Sequence, residues 1–432
     1  MITQEEPAGV FAFIDNKSFY ATVECTERGL DPLTTPLVVM SEAANTGSGL
    51  VLASSPMAKQ LYHITNVNRR RDLPDDPNLI VVPPRMNLYI EKNMAVNQIF
   101  NEYVADEDLM PYSIDESLLD LTHSWRLFGN NLLEVIRKIQ REVLEREQLV
   151  LTVGLGNNPI QAKIALDCYA KHNRELIGVI TNHTVRSKIW RIKHLTDVWG
   201  INKRTEVRLN RLNIYSVDDL AHADPFYLKS QLGIIGTQLY ATAWGIDRTQ
   251  MTQTMHIRHQ SIGNSQVLPR DYRQRDEIEV VLKEIGAQVA ARLRAQNKQC
   301  QGIHLYVGYS MGVLDKNGQT GFAHSLKLPV STAETNQIND QLIWLFEKYW
   351  DQHATIRHLG VACTRLSSRF GEQLDLFHPK VTQRMQLEST MDTLRHRFGK
   401  TAIVRASSLE KGATFIARSK LVGGHNGGQS LD

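Results

Sequence analysis

The chain opens on an apolar run that ends in an acid, Val10-Phe11-Ala12-Phe13-Ile14-Asp15, and the pattern then switches to helical spacing at Phe19, Val23 and Glu27. Such a switch predicts a buried strand that delivers Asp15 to its C-terminal end, followed directly by a helix. Residues 36–40 and 49–54 predict two further strands around a turn at Gly47-Ser48-Gly49, and the charged, proline-bearing residues 68–78 read as a surface loop. A helical pattern covers 86–103. Residues 108–122 then read as a strand, a tight turn at Asp115-Glu116-Ser117 and a returning strand. Residues 131–147 place Leu132, Ile136, Ile139 and Val143 on one face of an amphipathic helix. The stretches 149–156, 161–172 and 177–180 read strand, helix, strand, so the chain through residue 181 is expected to form an α/β domain around a central sheet. Residues 182–252 are helical with interruptions at Gly200, Gly233 and Gly236. Residues 260–367 follow the order strand, helix, strand, strand, helix, strand, a βαββαβ module of α+β class. From Ser368 the chain is polar, with one short apolar motif and a basic tail.

At 432 residues and 42% hydrophobic content, the chain can bury real cores and should divide into about three domains. No apolar run approaches the ~18 residues that span a bilayer, so no membrane partner is expected. The acidic start, Met1 to Gly9, lacks the pattern of a secretory leader. Cys25, Cys168, Cys300 and Cys363 lie far apart in sequence, which excludes CxxC metal knuckles and points to reduced thiols in a cytoplasm. The net charge of +3 conceals a polarity. Residues 1–120 hold 8 Lys+Arg against 18 Asp+Glu, a net of −10, so the remainder carries +13. An acidic front half joined to a basic back half fits a metal-dependent site attached to a polyanion grip, and equally fits two unrelated solvated faces.

Chemistry concentrates at three carboxylates. If the strand ending in Asp15 neighbours the hairpin of Asp115 and Glu116, three acids ionised at neutral pH share one sheet edge and repel one another. Divalent cations relieve that repulsion, and oxygen-only ligands select Mg²⁺ or Mn²⁺. Two such ions can activate a hydroxyl and clamp a triphosphate. Read without further context, Asp115-Glu116 also suits a plain turn, and Asp15 a helix cap.

The strings Phe13-Ile14-Asp15-Asn16-Lys17-Ser18-Phe19-Tyr20-Ala21-Thr22-Val23-Glu24 and Ser113-Ile114-Asp115-Glu116 resemble the two acidic motifs of the Y-family translesion DNA polymerases. Residues 268–293 and 357–366 resemble that family's little-finger domain, and the variant is similar to the UmuC branch, the polymerase V catalytic subunit and its Gram-positive relatives. The resemblance implies a right-hand architecture of palm (1–18 and 86–181), fingers (19–85), helix-hairpin-helix thumb (182–252) and βαββαβ little finger (253–368). A clamp-binding motif and basic tail (369–432) would follow. It implies error-prone, template-directed DNA synthesis by two-metal nucleotidyl transfer, in DNA damage tolerance and the SOS response. Asp15, Asp115 and Glu116 would be catalytic metal ligands for two Mg²⁺ ions, or Mn²⁺, assisted by the Asn16 carbonyl. The deoxynucleoside triphosphate would meet Phe19, Tyr20, Lys59 and Lys171. Tyr20 falls at the family's steric gate, the ring that leaves no space for a 2′-hydroxyl, while Lys59 and Lys171 reach the triphosphate. Pro56 replaces a tyrosine that many relatives use on the phosphates, which puts that second contact in doubt.

Residues 197–214 have the form helix, glycine hairpin, helix. The turn at Gly200-Ile201-Asn202 would aim backbone N–H groups at a phosphate of primer–template DNA, with Lys203 and Arg204 adding charge. Residues 232–245 suggest a second, less polar hairpin. Arg258, Arg270, Arg273 and Arg275 bracket a strand and helix start, where some would touch template backbone. Gln373-Leu374-Asp375-Leu376-Phe377 resembles the bacterial sliding-clamp pentapeptide; exposed Leu and Phe in a polar connector need a partner or a core. In the UmuC branch the basic tail implies a processed UmuD-type subunit and the RecA filament as further partners. Two other classes share some of these features: a palm-like nucleotidyl cyclase, which has no use for a basic thumb or clamp motif, and a catalytically silent DNA-binding adaptor.

Overall fold

An apolar strand can sit at the centre of a sheet only if both faces are covered, and the first strand, β1 (Phe11–Asn16), is buried on both. The computed structural model describes residues 6–42, 49–253, 260–369 and 380–427. In it β1 lies third in a five-stranded sheet of order β5-β6-β1-β7-β8, with β5 Leu109–Pro111, β6 Glu116–Asp120, β7 Leu151–Gly156 and β8 Ile177–Ile180. β1 runs antiparallel to both neighbours, and its register sets Asp15 directly opposite Glu116.

The helix Pro159–Cys168 crosses this sheet unusually closely. Its start is fixed by Pro159 and by the Asn158 side chain, which accepts from the Gln161 N–H. Gly154 and Gly156 of β7 make the approach possible: a Cβ at Gly154 would lie 2.1 Å from the Ala162 carbonyl oxygen. This contact brings Lys163 to the carboxylate end of β1.

A smaller sheet of order β3-β2-β4 (β3 Val51–Ser54, β2 Leu37–Met40, β4 Ile80–Val82) lies between β1 and the helix Met86–Asn101 in sequence. β2 and β3 form the expected antiparallel pair, although residues 43–48 of their connection lie outside the described ones. A helical region follows β8, with its own core of Ile189, Leu195, Leu209, Leu220, Leu228 and Leu239 among others. One detail differs from expectation: the first arm of the hairpin near Gly200 is a single 3₁₀ turn, Leu195–Asp197, and only the second arm, Lys203–Asn210, is an α-helix. Residues 232–245 do contain a glycine hairpin between two helices, Pro225–Leu232 and Ile234–Ala243, with Gly233 at φ 68°.

Residues 262–368 form the expected βαββαβ order. β9 (Ile262–Tyr272), β10 (Lys298–Tyr309), β11 (Gly321–Thr332) and β12 (Ile356–Ser368) make an antiparallel sheet ordered β11-β10-β12-β9, packed with the helices Arg275–Ala295 and Thr335–Tyr349 around a second large core. Cys300 and Cys363, remote in sequence, meet in that core as free thiols on neighbouring strands.

The polar tail holds more structure than its sequence suggests. The helix Lys380–Phe398 docks through ion pairs: Arg294 donates to buried Glu388 at 2.9 Å and to Asp392 at 2.7 Å. Further on, Thr414 donates from its backbone to Glu284 at 2.9 Å, and Val422 packs against the core of the first sheet. Residues 399–427 thus run from the C-terminal sheet back to the N-terminal domain. Among the described residues no helix is long and apolar enough to cross a membrane.

Candidate active site

The end of β1 and the start of β6 bring the predicted acids to one sheet edge. Asp15 and Glu116 are register partners, and the Asn16 N–H donates to the Asp115 carbonyl at 2.8 Å. The buried Asn16 amide donates to the same carbonyl at 3.3 Å, so Asn16 stitches the hairpin to β1. The Asp115 side chain is turned toward the Ser113 hydroxyl, which donates to it at 2.7 Å.

Two ammonium groups complete the cluster. Lys171 sits on a 3₁₀ turn directly after the closely packed helix, with its Nζ 3.2 Å from Asp15 Oδ2, 3.7 Å from Glu116 Oε1 and 3.0 Å from Asp167 Oδ1. It lies between two of the expected metal ligands. Lys163, only 6% exposed, donates to Glu116 Oε1 at 2.7 Å. Its functional placement was not foreseen. The signal in the sequence was its position two turns before Lys171, but only the glycines of β7 reveal that this face of the helix meets the sheet.

Burial dominates the electrostatics. It pushes the Asp15 carboxyl up to about 6, against the pull of Lys171 and with added repulsion from Asp115 and Glu116. Burial would lower the Lys171 ammonium, but Asp15, Asp167 and Glu116 outweigh it and hold the group well above its usual range. Four carboxylates (Asp15, Asp115, Glu116, Asp167) against two ammonium groups leave a net of −2.

This donor set fits divalent cations: its donors are carboxylate oxygens, it keeps excess negative charge, and a cation already lies between Asp15 and Glu116. Among the described residues, however, no three His, Cys, Asp or Glu side chains stand close enough to form a finished ligand set.

A cavity of about 880 Å³ opens over the carboxylates, lined among others by Tyr20, Lys59, Lys171 and the backbone start of the helix Phe19–Glu27. Phe19 also lines the cavity, its side chain buried and its ring in contact with Tyr20 and Tyr89. Tyr20 stacks on Tyr89 with ring centroids 4.3 Å apart and planes 16° from parallel. Tyr89 is held in turn: its hydroxyl donates to Glu24 Oε1 at 2.7 Å, and Arg85 donates to both oxygens of Glu24 at 3.0 and 2.8 Å. Lys59 donates to the Ser18 hydroxyl at 2.9 Å, and burial, helped by Lys17 and Lys171 and opposed by Asp15, lowers its pKa. Pro56 lines the cavity as the first residue of the helix Pro56–Tyr62.

The other sequence-predicted residues lie elsewhere. Gly200 adopts φ 89°, a left-handed turn, and the Asn202 side chain caps the helix of exposed Lys203 and Arg204 by accepting from the Thr205 N–H at 2.9 Å. Arg270 is paired with Glu277 at 2.6 Å, and Arg275 with Glu279 at 2.6 Å and with Glu347. Arg273 is exposed and makes no ion pair among the described residues. Arg258 and the pentapeptide Gln373, Leu374, Leu376 and Phe377 lie outside the described residues.

Comparison with known proteins gives this arrangement its family. Residues 14–167 match the impB/mucB/samB family, and residues 259–376 match the C-terminal domain of that family. The chain is 34% identical to "Putative UV-damage repair protein UvrX" of Bacillus subtilis, over 95% of this chain and 96% of that one. It is also 34% identical to "DNA polymerase IV 2" of the same organism, over 96% and 98% respectively. Among solved structures it resembles a Y-family DNA polymerase chimera, Dbh-Dpo4(243-245)-Dbh, with TM-score 0.65 and 23% identity, covering 83% of this chain and 99% of that one. The chain belongs to the Y-family DNA polymerases. It is a DNA-directed DNA polymerase of the damage-tolerance class, with a mixed α/β palm-like domain and the family's C-terminal domain. Polymerases of this family use divalent metal ions.

Proposed function

We propose that the protein carries out template-directed, error-prone translesion synthesis by two-metal nucleotidyl transfer, in the UmuC-like manner and under SOS control. The observation that carries this reading is the register pairing of Asp15 with Glu116, with Asp115 beside them, at the floor of a cavity lined by Lys59 and Lys171. Asp15, Asp115 and Glu116, with the Asn16 carbonyl, would hold Mg²⁺ or Mn²⁺. The bound ions supply Lewis-acid activation of a primer 3′-hydroxyl and charge neutralisation at the leaving pyrophosphate. Lys59 and Lys171 hold the triphosphate by charge, and Tyr20 sets the space beneath the sugar. Primer extension on a labelled template with Mg²⁺ and deoxynucleotides tests the reading; silence with clamp and accessory proteins also present would remove it.

The domain limits follow the same reading: palm 1–18 and 86–181, fingers 19–85, thumb 182–252, little finger 253–368. In the thumb, the Gly200–Asn202 turn and Lys203 and Arg204 grip the phosphate backbone without reading bases, which suits an enzyme that must accept any sequence. In the little finger, Arg273, exposed and without an ion pair among the described residues, does the same work together with Arg258. Lys203→Ala and Arg204→Ala are each expected to flatten the salt dependence of primer–template affinity by about one unit of log–log slope. Fluorescence anisotropy across a salt series measures this, and an unchanged slope would place the grip elsewhere.

The pentapeptide from Gln373 to Phe377 docks on the sliding clamp, and the tail engages a UmuD-type subunit and RecA. Leu374→Ala combined with Phe377→Ala should leave clamp-free extension intact while removing stimulation by added clamp. Full stimulation of the double variant would return the motif to core packing.

A further inference from the structure

Behind the nucleotide cavity lies a second one of about 900 Å³, and Lys17, Pro56 and Lys171 line both. The partition between them is the chain after β1, where the Lys17 N–H donates to the Val150 carbonyl at 2.9 Å.

The composition of this second cavity is two-sided. Lys17, Lys171 and Arg174 face a single acid, Asp31, whose carboxylate already accepts from the Leu33 N–H at 2.9 Å. Lys17 and Arg174 make no ion pair among the described residues. The floor and rim are apolar, from Leu30, Leu33, Leu144, Val150 and Leu176. Leu33 is 57% and Leu144 49% exposed, so apolar side chains stand in the open beside unpaired cations.

The walls also contain costly backbone. Gln148 and Leu176 adopt φ 58° and 55°, left-handed conformations that neither residue type favours. Such conformations persist where the surrounding structure fixes them, and they gather at ligand sites.

A simple anion would leave the leucines uncovered, and an apolar ligand would leave the cations without a counter-charge. A flat, weakly polar body carrying several negative charges satisfies both. We propose that this cavity binds a second nucleoside polyphosphate, its phosphates on Lys17, Arg174 and Lys171 and its base over Leu30, Leu144 and Leu176. Lys171 couples the two sites. Its ammonium lies 3.2 Å from Asp15 and cannot serve a polyphosphate on each side, so a nucleotide in the second cavity weakens the grip on the first. This rests on the first cavity being the incoming-nucleotide site.

The test is isothermal titration of the full chain with dATP and Mg²⁺, for wild type, Arg174→Glu and Leu144→Trp. Arg174 and Leu144 are exposed or half-exposed and lie outside the catalytic cluster, so both variants should keep the fold, which circular dichroism verifies. Wild type should bind two equivalents and each variant one. Pyrophosphate alone should bind the second cavity more weakly than dATP. In primer extension, millimolar nucleotide should slow the wild type by about fivefold, the low end of ordinary allosteric coupling, and leave both variants unaffected. One equivalent in wild type, or two in wild type and both variants, would overturn the second site. No binding at all, together with no primer extension, would instead overturn the reading of the first cavity.

Discussion

Primer extension by Asp115→Ala should fall about a thousandfold or more, the scale of losing one group that stabilises charge in a transition state. Primer–template affinity should stay near the wild-type value, because the basic surface at Lys203 and Arg204 is untouched. Glu116→Ala should be equally inactive but structurally less clean. It strips Lys163, a nearly buried ammonium, of its 2.7 Å partner and leaves it only Asp167 at 3.2 Å, and weakening a buried ion pair is costly. Asp115 is half-buried, its carboxylate is bonded only to Ser113 in its own turn, and its backbone bonds to Asn16 survive the change, so replacement removes an oxygen donor with little loss of stability. Thermal unfolding of the two variants separates these effects: Glu116→Ala should melt lower than Asp115→Ala. Retained turnover in Asp115→Ala would sink the metal assignment, because the one further carboxylate of the cluster, Asp167, is already engaged by Lys163 and Lys171.

The meeting of the three acids at one sheet edge was legible in the sequence because that edge is built from strand ends. An apolar run stopping at Asp15 and a weakly alternating segment over 108–122 locate the acids, although the turn expected at Asp115-Glu116-Ser117 lies at 113–115, with Glu116 and Ser117 already in β6. The βαββαβ module was legible for a similar reason: its helices carry continuous apolar stripes such as Ile278, Val281, Ile285 and Val289, all fully buried. What escaped depends on contacts that leave no period. Lys163 reaches Glu116 because Gly154 and Gly156 let a helix sink onto the sheet, and nothing local to Lys163 reports that. The helix Lys380–Phe398 is held by Arg294 and Arg405 on Glu388, so charged positions do the docking and no apolar stripe marks its inner face. The first arm of the hairpin near Gly200 is only a 3₁₀ turn, since residues 195–197 are followed within three positions by the left-handed Gly200.

Tyr20→Ala should admit ribonucleotides, lowering discrimination between deoxy- and ribonucleoside triphosphates by about a hundredfold. The ring can exclude a hydroxyl only if it cannot swing away, and its mounting is stiff. One face of Tyr20 stacks on Tyr89, Tyr89 is fully buried, and its hydroxyl is tied to a carboxylate that Arg85 and Arg28 also hold. Removing the ring also loses that stacking, worth about 0.5–1.5 kcal/mol beyond buried area, so a modest drop in thermal stability should accompany the change. Tyr20→Phe distinguishes shape from chemistry. The Tyr20 hydroxyl makes no hydrogen bond among the described residues, and burial, with the Asp115 charge, pushes it up to about 12, so it stays neutral throughout the working pH range. The phenylalanine variant should therefore keep wild-type sugar selection. Single-nucleotide incorporation with matched dATP and ATP on one template measures all three proteins. Unchanged discrimination in Tyr20→Ala would strip the ring of its gating role, and lost discrimination in Tyr20→Phe would mean that the hydroxyl, and not the ring's bulk, reads the sugar.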